Sequence, residues 1–202
     1  MGNGIARIVE TSTKVSMKIL CLESMWDLED YMTVKPILEM INQNYGIEFV
    51  HEKFYSFDEL KKKIKKHRDK DFDVIYLAAH GRPGLIKNGT DYNDTISIEE
   101  FFEYFGDAVK NKVVHISACA TLDIDDDRLK ELLSRYGCKI LSGYTTFTYW
   151  LPSASMDIIY FDNLVSDGLD TEKSVYDFIR INRSLVEFSG FKIRLNNGEL
   201  SG

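Results

Sequence analysis

The chain has 202 residues, 44% hydrophobic and 28% charged, which suits one globular domain with a sizeable core. Its 25 basic residues against 32 acidic ones leave a formal charge of −7, which weighs against nucleic acid as a partner. Three scattered cysteines, Cys21, Cys119 and Cys138, are too few for a disulfide framework or a zinc cluster, and no apolar run reaches membrane-spanning length.

Residues 1–16 lack a signal-peptide core, and Ala6 stands where a myristoylation motif needs Ser or Thr. They read as a flexible or non-native arm ahead of a single α/β domain over 17–202. The expected compartment is the cytoplasm, with no membrane partner.

From Met17 onward, strand-like and helix-like segments alternate. Lys18–Leu22 is a short apolar strand. After a polar stretch around Trp26–Thr33, Pro36 suits a first helical turn, Ile37, Met40, Ile41 and Tyr45 recur at helical spacing, and Gly46 closes the helix. Ile47–Val50 is the second strand. Ser56–Lys70 is a helix with Phe57, Leu60 and Ile64 inward, and its Lys61–Lys66 run is a solvated face. Val74–Ala79 is a third strand, apolar without alternation, as a strand covered on both faces should be.

Asn88-Gly89 then suggests a tight turn or small hairpin beyond His80-Gly81. Ser97 with Glu100 forms a capping-box pattern ahead of Ile98, Phe101, Phe102 and Phe105. Lys112–Ala118 is the fourth strand. Leu129, Leu132, Leu133 and Tyr136 mark a helix closed by Gly137, and Cys138–Leu141 is the fifth strand. Met156, Ile159, Tyr160 and Leu164 mark one further helix; Val175, Phe178, Ile179, Asn182 and Val186 mark another. Phe191–Leu195 supplies a sixth strand. This order predicts a mostly parallel six-stranded sheet flanked by helices on both faces, with a flavodoxin-like strand order.

In such sheets ligands bind outside the carboxyl ends of the strands. His80 ends the third strand and Cys119 ends the fourth, so adjacency of those strands would pair an imidazole with a thiol. Cys21 and Cys138 read as small core hydrophobes, and His115 as a satisfied core histidine. Trp150, beyond the fifth strand, either walls a cleft there or covers the core. Asp123, Asp125, Asp126 and Asp127 suit a helix N-terminus through the macrodipole.

His80-Gly81 at one strand end and Ser117-Ala118-Cys119-Ala120-Thr121 at the next resemble the caspase-like clan of cysteine peptidases. The match is closest to its CHAT branch, related to caspases and separases, whose cysteine motif is commonly Ser-Ala-Cys-x-Thr. The resemblance implies a caspase-like fold, Cys119 as nucleophile and His80 as acid/base. It further implies an oxyanion hole from the backbone N–H groups of Gly81 and Cys119, a protein or peptide substrate, limited proteolysis, and no metal or organic cofactor. Glycine after the histidine would leave room for substrate backbone and for conformations closed to other residues. The caspase signature Gln-Ala-Cys-Arg-Gly is absent, which removes the ground for cleavage after aspartate. Arg- or Lys-directed relatives use acidic groups in the specificity pocket, which makes Asp123 a candidate substrate contact beside Trp150. Any regulator would be a protein acting in trans. Two other readings stand beside this one: a catalytically silent signalling or scaffold module, and an unrelated flavodoxin-like small-molecule-binding domain. Against the latter, Glu23–Thr33 lacks a glycine-rich phosphate cradle.

Overall fold

The computed structural model describes residues 17–26, 32–89, 93–166 and 168–196. The arm at 1–16 and the middle of the first strand–helix loop, 27–31, lie outside the described residues. In chain order the elements are β1 (Lys18–Ser24), α1 (Lys35–Tyr45), β2 (Glu48–Phe54), α2 (Phe57–His67), β3 (Val74–Ala78), β4 (His80–Arg82), β5 (Leu85–Lys87) and β6 (Thr95–Ser97). Then follow α3 (Ile98–Phe105), β7 (Val113–Ser117), α4 (Asp126–Tyr136), β8 (Ile140–Tyr144), α5 (Trp150–Ser166), α6 (Glu172–Ile181), α7 (Arg183–Ser189) and β9 (Phe191–Leu195).

The main sheet has six strands in the order β2-β1-β3-β7-β8-β9, parallel except for β9, which runs antiparallel to β8. Its five parallel strands follow the flavodoxin-like order, with the chain reversing its direction of travel between β1 and β3. Alternate residues along the parallel strands feed two cores, while β9 feeds one. Leu20, Leu22, Ile75, Leu77, Val114 and Ile116 face α2, α3 and α4. Ile19, Cys21, Val74 and Tyr76 face α1, α5, α6 and α7. Helices on both faces are why these strands read as unbroken apolar runs. Among the described residues, no helix is long and apolar enough to cross a membrane.

The local signals act where the physics places them. Pro36 lies in the first turn of α1, whose end is capped by Gly46 in the left-handed region at φ 69°. Ser56 and Ser97 cap α2 and α3 by accepting from Glu59 N and Glu100 N. Several boundaries differ from the expected ones. β2 runs on to Phe54 through His51, Glu52 and Lys53, polar residues that an edge strand tolerates half-buried. α2 stops at His67 rather than Lys70, and β8 lies at Ile140–Tyr144 rather than Cys138–Leu141. The expected single helix over Val175–Val186 is two, α6 and α7, meeting at Asn182.

The small hairpin expected after His80 is part of something larger. β4, β5 and β6 form a separate three-stranded antiparallel sheet. One tight turn falls at Pro83-Gly84, with Gly84 at φ 70°, and the expected hairpin is the antiparallel β5–β6 pair, with Asn88-Gly89 directly after β5. Three-residue strands carry too little periodicity to register in a sequence pattern.

Candidate active site

β3 and β7 are neighbours, paired Ala78 with Ser117. His80 and Cys119 each lie two residues beyond that pair, so equal register delivers imidazole and thiol to the same edge of the sheet. Ala79 N donates to the Ser117 carbonyl at 3.1 Å, which extends the pairing to the base of the site. Both residues line a cavity of about 130 Å³, with Trp26, Val34, Ser117, Tyr144, Trp150 and Asp157 among its walls.

His80 is half-buried, and its Nε2–H donates to the Trp26 carbonyl at 2.7 Å. In the neutral ring this leaves Nδ1 as the basic nitrogen. The Trp26 indole meets the His80 ring edge-on at 5.3 Å and the Trp150 ring edge-on at 4.9 Å. Trp26 is itself fixed by Glu23, the buried carboxylate at the end of β1. Glu23 accepts from Trp26 Nε1 at 2.7 Å, Thr33 Oγ1 at 2.7 Å, Val34 N at 2.8 Å and His51 Nε2 at 2.5 Å. Burial acts to raise this carboxyl, and the bonds from His51, Trp26, Thr33 and Val34 overcome it and hold it below the ordinary carboxylate range.

Cys119 sits in a turn that two segments, around Gly84–Leu85 and Tyr144–Thr146, pin in place. Ala120 N donates to Thr146 O at 2.9 Å, and Leu122 N to Tyr144 O at 2.9 Å. Thr121 Oγ1 donates to Leu85 O at 3.2 Å, and Gly84 N to Thr121 O at 3.1 Å. Ala120 takes φ 53°, a left-handed conformation an alanine adopts at a cost of about 1 kcal/mol. The Cys119 thiol donates to the Thr148 carbonyl at 3.5 Å. Among the described residues, the Cys119 backbone N–H makes no hydrogen bond.

Gly81 has a different reason from the expected one. It is not among the positive-φ glycines. A Cβ there would lie 2.2 Å from Thr121 Oγ1 and 2.6 Å from the Cys119 carbonyl oxygen. The space is taken by the cysteine turn packed against it, not left for substrate.

The remaining expectations divide. Trp150 opens α5 and lines the cavity. Asp123 is exposed and is not among the lining residues; Asp126 and Asp127 occupy the first turn of α4. Cys21 and Cys138 are buried, and burial pushes the Cys21 thiol well up and the Cys138 thiol up to about 12. His115 is fully buried and hydrogen-bonded, its Nδ1 with Ser142 Oγ at 3.0 Å.

Asp157, on α5, is the residue that sequence reasoning missed. It is 1% exposed and lies at the cavity floor. His115 Nε2 donates to its Oδ1 at 2.9 Å and the Tyr144 hydroxyl to the same oxygen at 2.5 Å; Tyr76 and Ser117 hydroxyls donate to Oδ2, each at 2.7 Å. Burial acts to raise this carboxyl, and the facing His115 with the donated bonds holds it below its ordinary value. A signal existed: Asp157 shares helical spacing with Tyr160, Phe161 and Leu164, all buried. A carboxylate on an apolar stripe requires partners. Among the described residues, no group of three or more His, Cys, Asp or Glu could hold a metal ion.

Residues 16–194 match the profile of a family described as "Family of unknown function (DUF6642)". No curated protein matches the chain. A solved structure described as "structure of pro-sf-caspase-1" is similar at a TM-score of 0.49 and 14% identity, over 85% of this chain and 80% of that one.

Proposed function

We propose that this chain, which belongs to the DUF6642 family, is a cysteine peptidase of the caspase/CHAT-like type that cuts a protein or peptide substrate by limited proteolysis. The observation that carries the reading is the β3–β7 register, which sets His80 and Cys119 level at one cavity while Trp26 occupies the far nitrogen of the imidazole. His80 Nδ1 takes the Cys119 proton, and the thiolate attacks the scissile carbonyl. The oxyanion that forms is met by the backbone N–H groups of Cys119 and Gly81, each worth roughly 3–4 kcal/mol when well placed. His80 returns the proton to the leaving amine, and water, deprotonated by His80, releases the acyl group. The motif Ser117-Ala118-Cys119-Ala120-Thr121 with His80-Gly81 supports the CHAT branch at residue level. The reading places the protein in the cytoplasm, with its regulator, where there is one, a protein acting in trans.

A second reading, a silent signalling or scaffold module, is favoured by one contact: the thiol donates to Thr148 rather than to His80. A thiol-directed acyloxymethyl ketone separates the two. The peptidase reading expects rapid labelling of Cys119, slowed at least ~100-fold in His80→Ala, with buried Cys21 and Cys138 inert. Equal, slow labelling of all three cysteines supports the silent module instead.

A further inference from the structure

The wall of the cavity beside Cys119 has a definite chemistry. Trp26, Met32, Val34, Ala118, Trp150 and Ala154 give it an apolar lining that includes two indole rings. Three of its four hydroxyls, all but that of Thr148, are already engaged. Ser117 and Tyr144 donate to Asp157, and Ser153 donates to the Trp150 carbonyl at 2.9 Å. Asp157, the acidic group among the described lining residues, accepts from His115, Tyr144, Tyr76 and Ser117. A carboxylate offers about four lone-pair positions, so none faces an incoming cation. No lysine or arginine is among the described lining residues to receive an anion. The volume of about 130 Å³ approaches the ~150 Å³ of an apolar cavity that takes a benzene ring.

We propose that this cavity receives an uncharged apolar side chain, between leucine and phenylalanine in size, from the substrate residue preceding the scissile bond. The term "scissile" rests on the peptidase reading; the preference of the cavity is measurable without turnover. A lysine or aspartate entering it gives up water for a mostly apolar wall whose carboxylate, Asp157, is already saturated, a penalty that lowers affinity by at least ~10-fold. Ser117 helps to close Asp157 to ligands: losing its hydroxyl frees one carboxylate lone pair at the cavity floor.

Both tryptophans of the chain, Trp26 and Trp150, stand in this wall, so intrinsic fluorescence reports its occupancy. Acetylated tetrapeptides ending in leucine, lysine or aspartate are titrated into Cys119→Ala. The expected result is that the leucine peptide binds at least ~10-fold tighter than the other two. Equal or tighter binding of the lysine or aspartate peptide, or no binding by any of them, overturns the proposal. In Ser117→Ala the lysine peptide gains ~10-fold relative to leucine; an unchanged ratio overturns the role given to Ser117. Acyloxymethyl ketones bearing the same three side chains, used on the unsubstituted protein and on His80→Ala, keep the two readings apart. Fastest His80-dependent labelling by the lysine or aspartate probe removes the apolar preference and leaves the peptidase standing. Tight leucine-peptide binding without Cys119 labelling supports the cavity assignment and removes the peptidase.

Discussion

Asp157 shows how a single buried charge can organise the ground beneath a nucleophile. Its partners come from β3 (Tyr76), β7 (His115 and Ser117) and β8 (Tyr144), so one carboxylate on α5 clamps adjacent strands just below Cys119. Asp157→Ala leaves His115 buried without its acceptor, together with orphaned hydroxyls. The expected loss is about 3–5 kcal/mol by urea unfolding, the range for breaking a buried pair from one side. Gly81 acts on the turn from the other side. In Gly81→Ala the new methyl meets the Cys119 carbonyl, a backbone atom that cannot rotate away. The turn must shift, costing roughly 1–3 kcal/mol of stability and, for a displacement near ~1 Å, about 100-fold in Cys119 labelling. Labelling at the unsubstituted rate in this variant would show that the Gly81 contact does not position the thiol.

Between elements, the edge strand β2 is tied to α2 by charge. Glu52 accepts from Lys66 at 2.7 Å, His67 at 2.8 Å and Lys63 at 3.2 Å. Lys66 first, then His67, hold its carboxyl at about 2, below the ordinary 4.5. A depressed folded-state value adds stability that is complete above 4.5 and is lost as pH falls from there through about 2. Glu52→Gln is therefore expected to flatten the stability–pH curve in that window and to cost about 1 kcal/mol at neutral pH. Thermal melts across that acid range check it; an unchanged acid limb would show that the β2–α2 ties carry no net stability. The same Glu52, with His51 and Lys53, keeps β2 polar at the sheet edge. That is why its second half escapes an apolar-run criterion.

At the scale of the whole molecule, two cores share one sheet, each parallel strand contributing alternate residues to both and β9 to one. Loss of either core strips the strands that support the other. Tryptophan fluorescence, which reads the cavity end through Trp26 and Trp150, and far-UV circular dichroism, which reads all helices, are expected to share one unfolding midpoint. Separate midpoints would mean that the site end opens independently of the sheet.

The parallel strands, their flanking helices and the two chemical strand ends were legible because apolar runs, capping residues and glycine stops are local signals. β3 and β7 show it: burial on both faces writes itself as Val74–Ala78 and Val113–Ser117. A small hairpin after His80 was legible from Asn88-Gly89, but the full three-stranded sheet, the reversed β9 and the break at Asn182 were not, since short pairings and strand direction depend on distant partners. The site divides the same way. His80 and Cys119 could be named from the chain alone, because each is the first reactive group after an apolar run. That they stand level, with Trp26 behind the imidazole and Asp157 beneath the thiol, is a matter of register and of a helix crossing the sheet. Residues separated by dozens of positions meet only when backbone pairing sets the distance between them.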